Sequence, residues 1–157
     1  MPTVLITGAA SGIGRDAARL FAAAGWQCVL VDYNAQALQQ LGQGLPQPGG
    51  ASHVLRTIDL TDANQIESLR SGTPALDAVL NNAGMSDASN TPLAEQTPEQ
   101  MRRLLALNLA APAAVVDACS TLLKPGARIV NVSSGAGLNA IPFRGAYSPS
   151  KAGLIAQ

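Results

Sequence analysis

Metal-ligating side chains are scarce in this chain: one histidine, His53, and two cysteines, Cys28 and Cys119, among 157 residues. A catalytic zinc site draws three protein ligands from that set and carboxylates, so no metal centre is expected. Cys28 lies in a strand-like apolar run and Cys119 in a helical one, which marks buried, reduced thiols rather than a disulfide staple. His53 opens a strand after a polar loop and is read as structural or exposed. Aromatics make up 3% of the chain and the formal net charge is zero, with no basic run interleaved with aromatic residues, so nucleic acid is not an expected partner. No apolar stretch approaches the roughly 20 residues of a membrane span. Met1–Thr7 also lacks the basic region and long apolar core of a secretory leader, so no membrane partner and a cytoplasmic location are expected. What the chain does have is 47% hydrophobic residues against 13% charged ones, enough to build one domain, 1–157, around a real core.

Strand and helix signals alternate along that domain. Thr3–Thr7, Gln27–Asp32, His53–Ile58, Leu76–Asn81 and Ala127–Ser133 read as strands. Arg15–Ala24, Asn34–Leu41, Asp62–Arg70, Met101–Leu123 and the stretch from Tyr147 onward read as helices. Asp62 is a natural N-cap, and Thr97-Pro98-Glu99-Gln100 combines a threonine cap, proline at the first helical position and glutamine in the capping-box place. Nearly all-apolar strands alternating with helices predict a doubly wound α/β fold, a parallel sheet with helices on both faces. There is no internal repeat. Gln43–Ser52 and Ser86–Pro92 are loops, and neither has the character of a domain linker.

The first strand feeds into Gly8-Ala9-Ala10-Ser11-Gly12-Ile13-Gly14. Glycines allow a tight turn and a close approach of pyrophosphate to amides at a helix start. A plain strand-to-helix turn would also use them, but a Walker-type loop is disfavoured because its lysine is missing. Asp32 ends the second strand eighteen residues after Gly14. There a carboxylate can accept from both hydroxyls of an adenosine ribose and repel a 2′-phosphate, which predicts NAD over NADP. Asp32 could equally be a capping or loop acid ahead of the next helix.

Tyr147 and Lys151 stand four residues apart at a helix start, so the two side chains share a face. A free phenol titrates near about pH 10, and a tyrosine base working near neutrality needs its anion favoured by about 4 kcal/mol. A neighbouring ammonium supplies part of that; the plain alternative is an ordinary surface pair. Pro112, four residues after Asn108 in a helical run, cannot donate to the Asn108 carbonyl. A kink with an unpaired carbonyl is expected, serving either structure alone or a bound water.

Taken in order, Thr7–Gly14, Asp32, Asp59-Leu60, Asn81-Asn82-Ala83-Gly84, Asn108, Ser134 and Tyr147-x-x-x-Lys151 resemble the motifs of the short-chain dehydrogenase/reductase family over essentially the whole chain. The resemblance implies a Rossmann fold and an NAD-dependent oxidoreductase that interconverts a secondary alcohol and a ketone. It sets Gly8, Ser11, Gly12, Ile13, Gly14 and Asp32 along the cofactor, Asp59 and Leu60 at the adenine edge, and Asn82, Ala83 and Gly84 on the cofactor floor. Asn81 and Asn82 also suit the plainer task of tying strand ends. Tyr147 matches the general acid/base, Lys151 the residue that lowers its pKa and holds the nicotinamide ribose, and Asn108 the anchor of a water relay. Of Ser133 and Ser134, the second has the thirteen-residue offset from Tyr147 that the family's substrate-holding serine shows. Leu138–Gly145 would line the substrate pocket, with Arg144 facing either solvent or an acidic substrate group. The resemblance further implies a homodimer or homotetramer built on Met101–Leu123 and the Tyr147 helix. It also implies more strands after Gln157, so the chain is expected to be a fragment with about five strands present. The rival reading is a module that holds the adenosine half of NAD without turnover.

Overall fold

Five apolar runs pair side by side in the computed structural model, which describes residues 1–86, 95–139 and 141–157. They are β1 (Thr3–Thr7), β2 (Gln27–Asp32), β3 (Val54–Thr57), β4 (Leu76–Asn81) and β5 (Leu123–Asn131), all parallel, in the order β3-β2-β1-β4-β5. Around them run α1 (Gly12–Ala23), α2 (Ala35–Gly44), α3 (Ala63–Glu67), α4 (Pro98–Leu105), α5 (Ala111–Cys119) and α6 (Tyr147–Ala156). Of the loop expected at Ser86–Pro92, residues 87–92 lie outside the described residues.

Side chains alternate faces along each strand; both faces of the central strands β1 and β2 are covered, whereas Ile129 and Val130 of β5 are exposed. Leu5, Val29, Val31 and Val79 pack against Val115, Ala118 and Cys119 of α5, whereas Val4, Ile6, Cys28 and Leu30 pack against Ala18 of α1 and Leu38 of α2. This is why the strands read as unbroken apolar runs. Burying one such side chain is worth about 1.5–3 kcal/mol, so the two layers dominate the stability of the sheet. The fold is the doubly wound α/β arrangement expected from the sequence.

Element boundaries depart from expectation where side chains or proline replace the ladder. β3 starts at Val54 rather than at His53, because the His53 ring itself accepts the Cys28 N–H at 3.0 Å in place of a strand carbonyl. β5 begins earlier than Ala127, and its pairing with β4 jumps from Leu76↔Leu123 to Ala78↔Arg128, looping out Lys124-Pro125-Gly126. Proline has no N–H for the ladder and Gly126 takes φ +81°, so the strand bulges there. Beyond the last residue of β5, Val132 N–H still donates to the Asn81 carbonyl at 2.8 Å. The helix expected over Asp62–Arg70 tightens into a 3₁₀ turn at Ser68–Arg70, with Asp62 capping it as expected.

The long helix departs from expectation in two respects. At the place where a kink is expected, α4 and α5 are joined through a π turn, Ala106–Ala110, a local widening of the kind that bends helices. The continuous run Pro98–Leu122 is also long and apolar enough, by length and composition, to cross a membrane, which a scan for uninterrupted apolar residues does not register. Its buried residues are accounted for by the sheet: Ala111, Val115, Ala118 and Cys119 belong to the core.

The chain lays down β1 to β3 outward in one direction and then returns to β4 on the other side of β1. Loops after β1 and β4 therefore diverge, opening a crevice at their carboxyl ends.

Candidate active site

That crevice is held open by the glycine turn. Gly8 and Gly12 adopt φ +64° and +49°, a region that costs L side chains strain. A Cβ on Gly8 would lie 2.9 Å from the Ala83 Cα, and one on Gly14 only 2.1 Å from the Gly8 carbonyl oxygen. The turn is thus pressed against the segment after β4. Thr7 Oγ1 accepts the N–H groups of Asn82 and Ala83, both at 3.0 Å, while the Asn82 amide donates to the carbonyls of Thr7 and Gly8 at 3.0 and 3.2 Å. Asn81 similarly ties β4 to β5, donating to Asn131 Oδ1 at 2.9 Å.

α2, α3 and α4 are capped by the side chains of Asn34, Asp62 and Thr97, but Ser11 makes no capping bond to α1. The first-turn amides of α1, from Gly12, Ile13 and Gly14, are left facing a site suited to an anion. From there a cleft of about 270 Å³ runs past Gly8, Ser11 and Asp32 to Asp59 and Leu60 on one side and Ala83 and Gly84 on the other. Glycine turn, uncapped helix start and carboxylates fit a dinucleotide. Of the residues expected along the cofactor, Gly12, Ile13, Gly14, Asn82, Tyr147 and Lys151 are not among those that line the cleft.

Asp32 is buried, and its carboxylate accepts the Ala10 N–H at 2.9 Å and the Asn34 N–H at 3.0 Å. The cap of α2 is Asn34, which accepts the Ala37 N–H at 3.0 Å, so the capping alternative for Asp32 falls and its loop-tying role stands beside its place in the cleft wall. Asp59 Oδ1 accepts both the N–H and the O–H of Thr61, at 2.9 and 2.8 Å. Those two bonds hold its carboxyl below the ordinary range, with a smaller contribution from the charge of Arg103.

Behind Gly84, outside the residues that line the cleft, Tyr147 opens α6 and Lys151 follows one turn later. The Lys151 Nζ donates to the Val132 carbonyl at 2.8 Å and lies 6.0 Å from the Tyr147 ring centre. Lys151 is 5% exposed, and burial pushes its pKa down. Its backbone is clamped as well: Ser133 Oγ donates to the Lys151 carbonyl at 2.9 Å, and a Cβ on Gly137 would sit 2.7 Å from the Lys151 carbonyl carbon. Ser134 caps the short turn Gly135–Gly137, its hydroxyl accepting the Ala136 N–H at 3.2 Å. Arg144 turns toward the protein, with its guanidinium 5.8 Å from the Tyr147 ring centre and a hydrogen bond to Ser86 Oγ. Ala140, within the expected pocket wall Leu138–Gly145, lies outside the described residues.

Asn108 sits fully buried in the π turn. Its Oδ1 accepts the Met85 N–H at 2.9 Å, and its Nδ2 donates to the Met85 carbonyl at 2.8 Å and to Ser150 Oγ at 3.1 Å. Ser150 in turn donates to the Tyr147 carbonyl at 2.7 Å. Gly84 is where the strands of this network meet, since a Cβ there would lie 3.2 Å from Asn108 Oδ1 and 3.5 Å from Lys151 Nζ. Ser150 and Met85 are not marked in the sequence reading, and Ser133, set aside there in favour of Ser134, holds the Lys151 backbone. Ser150 carries a faint signal, a hydroxyl inside the Tyr-x-x-x-Lys run; Met85 acts through its backbone and carries none.

The family profile described as short chain dehydrogenase matches residues 2–156. The chain belongs to the short-chain dehydrogenase/reductase family. Among relatives of this dehydrogenase/reductase, an uncharacterised short-chain type dehydrogenase/reductase of Sinorhizobium fredii is 38% identical over 156 residues, covering 97% of this chain and 28% of the relative. The dehydrogenase/reductase SDR family member 7B of Bos taurus is 35% identical over 159 residues, covering 94% and 48%. Among solved structures, the bulky-bulky ketone specific alcohol dehydrogenase of Comamonas testosteroni superposes with a TM-score of 0.87 at 27% identity, covering 99% of this chain and 64% of that one. A metagenomic short-chain oxidoreductase in complex with NADP superposes with a TM-score of 0.86 at 28% identity, covering 99% and 71%. The chain therefore spans less than half the length of these two curated relatives.

Proposed function

We propose that this chain carries the cofactor-binding and acid–base parts of an NAD-dependent enzyme that interconverts a secondary alcohol and a ketone. One observation carries the reading: Gly84, which lines the cleft, packs so closely on Asn108 and Lys151 that a Cβ there would lie 3.2 Å from Asn108 Oδ1 and 3.5 Å from the buried ammonium. A plain binding module gains nothing from a desolvated lysine beside a tyrosine behind its cleft.

Hydride acceptance is the chemistry that a bound nicotinamide supplies. The protein's part is to hold the alcohol and move its proton. Tyr147 takes the hydroxyl proton through its phenolic oxygen during oxidation and returns it during reduction. The Ser134 hydroxyl donates to the substrate oxygen and steadies the developing alkoxide. Lys151 favours the phenolate by its charge. An ammonium has three donors, and Val132 takes one, so the others can serve the nicotinamide ribose and a water held near Asn108. The functional unit is one domain, and its substrates are small alcohols and ketones. By the family's habit it works as a homodimer or homotetramer, and we place it in the cytoplasm.

Asp32 supports NAD over NADP. Its buried carboxylate stands in the cleft wall at the end of β2, where a 2′-phosphate would bring further negative charge against it. Two of the neighbouring structures were solved with NADP or 5-hydroxy-NADP, so the choice is made by this position rather than by the fold. Titrating the full-length protein with NAD and NADP tests the reading. NAD should bind at least about tenfold more tightly, about 1.4 kcal/mol, and Asp32→Ala should erase the difference. Tighter NADP binding by the unmodified protein refutes the preference, and NAD binding without turnover of any alcohol or ketone, in a protein with Tyr147 intact, refutes the catalytic reading.

A further inference from the structure

Arg103 projects from α4 at the rim of the nucleotide cleft, across from Asp59, Leu60 and Thr61. Its neighbour Arg102 is committed to Glu99 by a hydrogen bond of 2.9 Å. Arg103 differs: among the described residues it has no carboxylate within 4.0 Å. Its charge reaches Asp59 only at a distance. An exposed guanidinium at the mouth of a cleft, held off from the nearest acid, is placed for a ligand.

The surroundings choose the part of the ligand. Ile58, Leu60 and Leu107 give the adjoining wall an apolar surface, which suits a flat ring. Asp32 and Asp59 make the same cleft anionic, so a phosphate at this end would face two carboxylates. A neutral base does not, and a guanidinium stacks well on an aromatic face through its plane and its charge.

We propose that Arg103 is a specificity-determining residue for the adenine end of the cofactor, its guanidinium covering the face of the base while Asp59 accepts from the exocyclic amine at the edge. The proposal rests on the cleft being a dinucleotide site. In it, arginine also offsets the charge of the carboxylates that the ribose and adenine edge require. Lysine would supply the charge without the plane.

Binding measured by calorimetry on the full-length protein separates the parts, with ADP-ribose as the probe lacking nicotinamide and reduced nicotinamide mononucleotide as the probe lacking adenosine. Arg103→Met keeps the aliphatic length and removes plane and charge, while Arg103→Lys keeps the charge alone. ADP-ribose should weaken about five- to tenfold in Arg103→Met and less in Arg103→Lys, with the mononucleotide unchanged in both. Unaltered ADP-ribose binding by Arg103→Met overturns the proposal, as does an equal loss for both probes, which would report a general disturbance. If the folded, unmodified protein does not bind ADP-ribose at all, the dinucleotide reading itself falls and takes this proposal with it. Arg103 is exposed, so the variants keep the core intact.

Discussion

The Asn108 side chain pairs with the backbone of Met85 as a neighbouring strand would, accepting its N–H at 2.9 Å and donating to its carbonyl at 2.8 Å. Asn108→Ala leaves the half-buried Met85 N–H and carbonyl without that partner, while the Ser150 hydroxyl keeps its bond to the Tyr147 carbonyl. Each orphaned group costs about 1–3 kcal/mol, so a total loss of about 2–6 kcal/mol is expected in urea unfolding. Turnover should fall further than stability explains, because the same residue orders the segment beside Lys151.

Two glycines of the first turn make opposite predictions. Gly14→Ala drives a Cβ to 2.1 Å from the Gly8 carbonyl oxygen, a backbone atom that cannot move without opening the turn. Gly12 has open space around its missing Cβ and only the strain of φ +49°. Gly12→Ala should cost about 1 kcal/mol, whereas Gly14→Ala should cost more than about 3 kcal/mol and abolish nucleotide binding. Equal melting temperatures for the two variants would contradict the packing described for the turn.

Much of this molecule is legible from its sequence, for reasons that can be named. β1, β2 and β4 are apolar runs whose signal is local, and the capping box at Thr97 appears as read, with Thr97 and Gln100 exchanging hydrogen bonds at 2.9 and 3.2 Å. The cleft gathers Gly8, Ser11 and Asp32, singled out by the glycine turn and the spacing after it, with Asp59, Leu60, Ala83 and Gly84, singled out by the family resemblance. What escaped is tertiary in origin. The start of β3 depends on a histidine 25 residues from its partner, and Met85 takes part through backbone groups that every residue possesses. The π turn around Asn108 is likewise held by contacts far along the chain, with Met85 and Ser150. No local pattern encodes these.

Alkaline pH should weaken the fold through its thiols. Burial raises Cys28 and Cys119 to about 11 from the usual 9.0, because an ionised sulfur has no solvation in the core. A group with a raised folded pKa contributes stability that is fully present below pH 9 and is lost as pH rises toward 11. Urea midpoints should hold steady to about pH 8.5 and then fall, by up to about 2 kcal/mol per thiol at pH 10.5. The double variant Cys28→Ala, Cys119→Ala should be weaker at neutrality and lose most of that slope.

His53 should prove structural. Its Nδ1 accepts the Cys28 N–H at 3.0 Å, so the ring proton belongs on Nε2, which faces the Pro46 carbonyl at 2.9 Å. His53→Leu removes both bonds and leaves a strand amide unpaired, at a cost of about 1–3 kcal/mol in thermal unfolding. ADP-ribose affinity at saturating folded protein should not change. A loss of turnover without a loss of stability would instead give this histidine a part in the chemistry.

The π turn at Ala106–Ala110 has a consequence for how such a helix can change over time. A π turn contains one residue more than an α turn needs, and one residue of an α-helix subtends about 100°. The half before it brings Arg103 to the cleft, and the half after it turns Ala111 and Val115 toward the sheet. A single inserted codon is thus enough to rotate one half of a helix against the other. The two halves then answer to different demands: the first can be rewritten for a new ligand while the second goes on supporting the core.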